Sequence, residues 1–282
     1  MLDVSNRPRV DVDLVERGAR TLLDAFARLL PELGHQEAVR VLPLVGTAGA
    51  RVAGTASLRA VTIGFHLLSV AEQHATAIHR ARARATGEVE SGLWASTLAE
   101  LARVPGSAEA IRAALAQLHV EPVLTAHPTE ARRISALEQW LELFEELGLE
   151  EVAKLDPDDL LERLERLYRT GEVRLRKPTL ADERDVVVHT LVKVVAPALL
   201  RVERAAAEAL ATGPDAGHVT SPSVTFGTWV GGDRDGHPLV TAEVTAESLR
   251  IYRRAALALH RANLTRLARA LSISEVDAAP PR

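Results

Sequence analysis

The 282-residue chain contains 47% hydrophobic and 26% charged residues, the balance of a globular protein with enough apolar side chains for a substantial core. Its formal net charge of −4 lacks the strong positive charge that binding to a nucleic-acid backbone requires. Because it has no cysteine, disulfides, thiolate metal sites and a cysteine nucleophile are excluded. Only 3% of the residues are aromatic, so a core of Leu, Val and Ala is expected, which favours packed helices.

Targeting signals are not evident in the sequence. The first residues lack an apolar segment of the signal-peptide type, and the longest apolar stretch, residues 186–200, is interrupted by His189 and Lys193. We therefore expect a cytoplasmic protein with neither a membrane nor a nucleic acid among its partners.

Apolar residues in the first half of the chain recur at helical spacing. This spacing predicts a helix from about Leu14 to Leu33, a connection marked by Pro43, and a long helix over residues 57–85 that ends near Gly87. A further helix is predicted from Ser107, whose hydroxyl is typical of a helix cap, to near His119.

Start and stop signals predict three helices in the second half. Asp156-Pro157 begins a helix that runs to about Thr170, because proline at the first helical position loses no hydrogen bond. Thr179 opens a helix that Pro197 should kink and that ends before Gly213. The last helix covers residues 245–271, and its stripe of leucines is expected to be buried, together with His260: Leu257, Leu264, Leu267 and Leu271.

Two short strands are predicted, at residues 121–125 and 223–230. A polar motif follows each strand. Strands that deliver polar residues at their carboxyl ends, among many helices, are typical of α/β barrels. The expected fold is mainly α with a few short strands.

The first polar motif is Thr125-Ala-His-Pro-Thr-Glu130. Pro128 fixes the backbone after His127, and Thr129 is placed to cap a helix that begins around Glu130. An imidazole there can transfer a proton at neutral pH, next to a helix N-terminus that favours bound anions. The alternative is a histidine that serves as a hydrogen-bonded plug in the turn.

The second motif is Trp229-Val-Gly-Gly-Asp-Arg-Asp-Gly-His-Pro238. Its glycines permit tight turns and the close approach of a ligand, and Arg234 is suited to a phosphate or carboxylate. The alternative is a polar turn in which Asp233 and Asp235 bind backbone N–H groups. A calcium loop is disfavoured, because the run of oxygen ligands and the distal glutamate do not follow.

Both motifs resemble signatures of one enzyme family. Residues 123–130 are similar to the segment around the catalytic histidine of phosphoenolpyruvate carboxylases, and residues 226–238 resemble the Gly-Gly-Asp-Arg-Asp-Gly-Asn-Pro block of the same family. Arg133 fills the first of two basic positions that follow the first signature. Residues that depart from the family pattern are Ile134 at the second basic position, Val230 for Met, His237 for Asn, and Gly171 for Asp in the segment 169–174.

The resemblance implies that residues 1–282 are the N-terminal portion of such a carboxylase, part of an incomplete TIM-type barrel without a separate second domain. It implies the carboxylation of phosphoenolpyruvate with bicarbonate to oxaloacetate and phosphate, an anaplerotic carbon fixation. His127 is the implied catalytic residue. The candidates for substrate binding are Arg133, Arg234, Asp233 and Asp235.

Cofactor and partners are likewise implied by the resemblance. Mg²⁺ is expected, with its ligands in the missing C-terminal part rather than in this chain. That part would be present in cis or as a second polypeptide, and the complete enzyme would be a homo-oligomer. The isolated chain is expected to be inactive. The alternative is an inactive remnant or interaction protein that retains the fold signatures.

Overall fold

The computed structural model describes residues 11–86, 93–125, 133–171, 178–212, 223–235 and 238–272. The chain divides into two compact units, of which the first takes in residues 1–100 and 132–175 and the second takes in residues 101–131 and 176–282. Both units are mainly helical, as expected. The prediction of a single domain over residues 1–282 stays a prediction.

Helices account for most of the described residues. In chain order they are α1 (Val12–Glu32), α2 (Gly54–Thr86), α3 (Trp94–Ala102), α4 (Ser107–Gln117), α5 (Ile134–Leu147), α6 (Pro157–Arg169), α7 (Leu180–His189), α8 (Ala196–Thr212) and α9 (Ala242–Ala270). Short 3-10 turns cover Gln36–Val41 and Val152–Lys154, and a π-helical segment covers Thr190–Val195. No described helix is both long and apolar enough to cross a membrane.

The core of the first unit is built around α1. The side chain of Asp11 caps this helix by accepting a hydrogen bond of 3.0 Å from the backbone N–H of Leu14. Leu22, Phe26 and Leu30 then fall on one face and are fully buried. Buried residues of the other helices complete the same core, among them Ile63, Leu67, Leu143, Leu147, Leu160 and Leu164. Burial of each such side chain contributes about 1.5–3 kcal/mol, so this packing stabilises the first unit.

The predicted starts of α6 and α7 are confirmed. The side chain of Asp156 accepts hydrogen bonds from the N–H groups of Asp158 and Asp159, and Pro157 occupies the first turn. Thr179 and Asp182 cap each other reciprocally at α7. A π-helical segment precedes Pro197, and the kink expected at this residue stays a prediction.

The predicted start of α4 at Ser107 is confirmed, but its predicted cap and the predicted start of α5 were wrong. Helix α4 is preceded by Gly106, which has a positive φ of 72° and serves as the N-cap, so Ser107 is the first helical residue. Helix α5 begins at Ile134 and not near Glu130, because Arg133 has an extended backbone with ψ of 141°. Arg133 is therefore the N-cap residue of α5.

The predicted burial of the leucine stripe on α9 was also wrong. Leu257 and Leu264 are 57% and 65% exposed, and Leu267 and Leu271 are exposed as well. The opposite side of α9 contacts the second unit through Ser248 and Tyr252. Helical periodicity places the leucines on one side of the helix, but it does not determine which side is covered.

The strands of the second unit are β1 (His119–Val120), β2 (Val123–Leu124), β3 (Ser223–Val224) and β4 (Gly227–Thr228). β1 pairs with β3 and β2 pairs with β4, both in parallel. The register is the same in both pairs, since His119 lies opposite Ser223 and Val123 lies opposite Gly227. The first predicted strand, residues 121–125, contains only β2, and β1 lies before it, separated from β2 by Glu121 and Pro122, which has no N–H to donate. The second, residues 223–230, is divided into β3 and β4. A closed barrel is not formed by the described residues.

Candidate active site

The candidate site lies at the carboxyl ends of β2 and β4. The N–H of Gly227 donates to the carbonyl oxygen of Pro122 at 3.1 Å, and the N–H of Trp229 donates to that of Leu124 at 3.0 Å. Because the pairing is parallel, both strands end at the same edge. The chain continues from this edge into the two motifs that were singled out in the sequence.

His127 itself lies outside the described residues, which stop at Thr125 and resume at Arg133. Its nearest described neighbours in the sequence are Leu124, which is paired with Thr228, and Thr125. The start of the histidine segment is therefore positioned beside the start of the Trp229 segment, within the second unit. The role of His127 stays a prediction.

The second motif forms a tight turn directly after β4. The carbonyl oxygen of Trp229 accepts hydrogen bonds of 2.9 Å from the N–H groups of both Gly232 and Asp233. The Oδ1 atom of Asp233 accepts a hydrogen bond of 3.0 Å from the N–H of Asp235. One carboxylate thus stabilises the turn, as the polar-turn alternative predicts. Both side chains are exposed, as is Arg234 between them.

Arg234 is the cation that this turn presents to solvent. Among the described residues it has no hydrogen-bonded or ion-paired carboxylate. Hydrogen bonds from Thr241 and from its own backbone N–H lower the pKa of the Glu243 carboxyl, and the charge of Arg234 acts in the same direction. Glu243 stands in the first turn of α9, so Arg234 lies on the side of the turn that faces the start of this helix. Its guanidinium group remains available for an anion.

Gly231 anchors the turn against α9. Its φ is +81°, and a Cβ atom there would lie 2.3 Å from the Oγ atom of Ser248. Ser248 is buried, and its hydroxyl donates to the carbonyl oxygen of Val244 at 2.8 Å. Only glycine combines this backbone conformation with so close an approach. The contact fixes where the Asp233–Asp235 segment begins.

Tyr252 provides a second anchor one helical turn further along α9. Its hydroxyl donates a hydrogen bond of 2.8 Å to the carbonyl oxygen of Val230. Burial raises the pKa of Tyr252, while the hydroxyl of Thr228 and the charge of Arg184 act in the opposite direction. The Nε atom of Arg184, from α7, is buried without a hydrogen-bond partner among the described residues. Three elements of the second unit thus meet beneath the turn.

We did not predict a site role for Ser248, Tyr252 or Arg184 from the sequence. Ser248 and Tyr252 are four residues apart in a predicted helix, a spacing that puts them on one face. This spacing was the available signal for a shared contact.

Arg133, the remaining candidate, belongs to the first unit. It is exposed, and its Nη1 atom lies 3.4 Å from the position that a Cβ atom would take at residue 171. Gly171 stands where the family pattern of segment 169–174 carries Asp. Within the described residues, no carboxylate forms an ion pair with Arg133.

A metal site was not expected within this chain. In the described residues, no group of three or more His, Asp or Glu side chains is arranged to hold a metal ion. Those residues therefore do not fit the Mg²⁺ that the resemblance implies. We assign no chemical step to a metal bound by this chain.

Comparison with known proteins supports the resemblance over most of the chain. The family model for phosphoenolpyruvate carboxylase matches residues 47–281. A phosphoenolpyruvate carboxylase of Methylorubrum extorquens is 33% identical over 281 residues, which cover 93% of this chain and 29% of that protein. The Azorhizobium caulinodans protein of the same name is 33% identical over 230 residues, or 77% of this chain and 24% of its own length. The chain thus spans less than a third of these relatives, and it belongs to the phosphoenolpyruvate carboxylase family.

Proposed function

We propose that this chain supplies the histidine-bearing part of an enzyme that carboxylates phosphoenolpyruvate with bicarbonate, giving oxaloacetate and phosphate. The observation that carries the proposal is the parallel pairing of β2 with β4. Through it, two segments that are 104 residues apart in sequence leave the same strand edge, as shown by the partners Leu124 and Thr228. Convergence of polar loops at the carboxyl ends of parallel strands is how α/β enzymes assemble active sites.

His127 is proposed to handle the proton of a carboxyphosphate intermediate or to assist its breakdown. Its position just beyond a strand end suits an imidazole that must reach a bound substrate, and imidazoles exchange protons at neutral pH. No covalent nucleophile is needed for this chemistry.

Arg234 is proposed to bind an anionic group of the substrates. Its guanidinium group is exposed on a turn that Gly231, Ser248 and Tyr252 hold in place, and no carboxylate of the described residues forms an ion pair with it. Asp233 and Asp235 are proposed to shape this turn. Arg133 is a further candidate for anion binding.

The remainder of a family-length protein is proposed to complete the site. It would provide the ligands of the Mg²⁺ ion and the strands that close the barrel, in cis or as a second polypeptide. A homo-oligomeric, cytoplasmic enzyme is part of the same proposal. Within the described residues, the parallel pairs have no further strand at either side, which supports the need for further strands, since parallel sheets are normally covered and extended on both sides.

The experiment compares two proteins for oxaloacetate formation from phosphoenolpyruvate, bicarbonate and Mg²⁺. One is the isolated 282-residue chain. The other is a chimera in which this chain replaces the matched segment of the Methylorubrum extorquens relative. We expect turnover by the chimera and none by the chain alone. A folded chimera without turnover would instead favour an inactive remnant, and turnover by the isolated chain would contradict the need for a second part.

A further inference from the structure

Helix α9 carries an exposed apolar face that its own unit does not use. We call this face the leucine stripe; its members are Leu249, Leu257, Leu264, Leu267 and Leu271. Each is between 53% and 65% exposed. At about 100° per residue, the five side chains fall within about 80° of the helix circumference. They therefore form one leucine-rich strip along the helix, and Arg253 and His260 fall within the same sector.

The contacts of α9 with the second unit lie on its other side. Val244, Ser248 and Tyr252 are there, and they hold the turn at Val230 and Gly231. Beyond Tyr252 the helix continues for a further 18 residues to Ala270, and most of its side chains are exposed. An amphipathic helix of this kind draws its stability from packing rather than from intrinsic propensity. A row of exposed leucines on such a helix is typical of an interface.

Charge restricts the choice of partner. From residue 250 to residue 271 the helix contains six arginines and neither Asp nor Glu: Arg250, Arg253, Arg254, Arg261, Arg266 and Arg269. Arg250 is paired with Glu247, and Arg266 is hydrogen-bonded to Asn263. Arg254 and Arg261 lie along one side of the leucine stripe, and Arg253 lies within it. Two copies of this helix would bring like charges together, so self-association through the stripe is disfavoured.

The geometry and charge of α9 point to one occupant, and this inference rests on the proposed function. We infer that the leucine stripe docks into an apolar groove, edged by carboxylates, on the remaining part of a family-length carboxylase. The chain covers 29% of the Methylorubrum extorquens relative, so such a protein holds ample additional residues to form the groove. Arg254 and Arg261 would pair with its acidic rim.

Hydrogen exchange of α9 tests this inference without reference to turnover. The amide exchange of residues 256–271 is measured in the isolated chain and in the chimera with the Methylorubrum extorquens relative. We expect exchange to slow by at least about tenfold in the chimera, because a packed helix opens less often than an exposed one. If α9 exchanges at the same rate in the isolated chain and in the chimera, the inference is wrong.

Matched variants identify the face. A chimera with Leu257→Gln, Leu264→Gln and Leu271→Gln is expected to lose the protection. The control carries Ala258→Gln, Ala262→Gln and Thr265→Gln, which are exposed positions away from the stripe, and is expected to keep it. Equal protection in the two triple variants would overturn the assignment of the stripe.

The same samples test whether a second copy of the chain or a lipid surface binds the leucine stripe instead. Sedimentation of the isolated chain should show no dimer that the leucine substitutions dissolve, and vesicles of phosphatidylglycerol should not bind it in a stripe-dependent manner. A stripe-dependent dimer or vesicle complex would contradict the inference. Because protection and oxaloacetate formation are separate readouts, a protected but inactive chimera would refute the proposed function and leave this interface intact.

Discussion

The backbone N–H of Trp229 donates a hydrogen bond of 3.0 Å to the carbonyl oxygen of Leu124. This contact joins the last residue of β2 to the residue that follows β4, where the His127 segment and the Asp233–Asp235 turn begin. The turn is then held from α9 by Ser248 and Tyr252. The catalytic proposal depends on this framework, so it can be tested through the framework as well as through the reacting groups.

Gly231→Ala should destabilise the second unit. A methyl group at this position meets Ser248 Oγ at 2.3 Å and has to adopt a φ of +81°. The combined strain should lower the free energy of unfolding by about 1–3 kcal/mol, measured by urea denaturation followed through tryptophan fluorescence. Gly232→Ala is the matched control, because a Cβ atom there would lie 3.8 Å from the carbonyl oxygen of Trp229, an ordinary van der Waals distance. Equal stability of the two variants would show that the contact with Ser248 is not formed.

Tyr252→Phe should remove the hydrogen bond to Val230 without creating a cavity. We expect a loss of about 0.5–1.5 kcal/mol in the free energy of unfolding, the usual contribution of such a bond. Tyr168→Phe in the first unit is the control, since no hydrogen bond of its hydroxyl is found among the described residues. An unchanged Tyr252→Phe protein would indicate that the turn is held by Gly231 alone.

His74 should make stability depend on pH. It is buried in α2, its Nε2 atom has no partner in the described residues, and desolvation lowers its pKa below 6.5 despite nearby backbone groups of Leu147, Gly148 and Glu150. Between the lowered pKa and 6.5, the unfolded chain binds more protons than the folded chain. Stability should therefore fall as the pH drops below 6.5 and should be independent of this group at higher pH.

The measurement is the urea midpoint at pH 7.5, 6.5 and 5.5 for the parent chain and for His74→Leu. As the pH falls, the urea midpoint of His74→Leu should decrease less than that of the parent chain. His260→Leu, at an exposed position, serves as the control for a histidine substitution. A His74→Leu profile that parallels the parent profile would rule out this linkage.

Gly171→Asp should create an ion pair with Arg133. The Nη1 atom of Arg133 lies 3.4 Å from the Cβ position of residue 171, which a carboxylate can therefore approach. For an exposed pair we expect a gain of about 0.2–1 kcal/mol that declines as salt is raised from 0.05 to about 0.5 M. Gly171→Asn controls for the added side chain. The pairing is refuted if the aspartate and asparagine variants respond identically to salt.

Local signals in the sequence were sufficient to predict several helices. The spacing of Leu22, Phe26 and Leu30 and the Asp156-Pro157 start signal describe interactions within one or two turns, which is why α1 and α6 were predicted well. Helix α3 was missed, because a nine-residue helix without a strong cap has little periodicity to detect. Helix α4 begins at Ser107 as predicted, but the predicted cap was wrong, because Gly106 supplies the N-cap conformation without a side-chain hydrogen bond.

Tertiary relationships were not accessible in the same way. The sequence placed polar motifs after two strands, but the pairing of Leu124 with Thr228 requires a register that alternation alone does not specify. The roles of Ser248 and Tyr252 depend on a loop that folds back onto α9. The exposure of Leu264 depends on which residues are present to cover it.

The most direct test of the account is the rate of oxaloacetate formation by the chimera with His127→Ala. Removal of a group that transfers a proton in the reaction should lower this rate by about 10²–10⁴-fold, while the hydrogen exchange of α1 and α9 stays that of the parent chimera. An undiminished rate would contradict the assignment of His127, and with it the claim that the β2 and β4 edge carries the catalytic histidine.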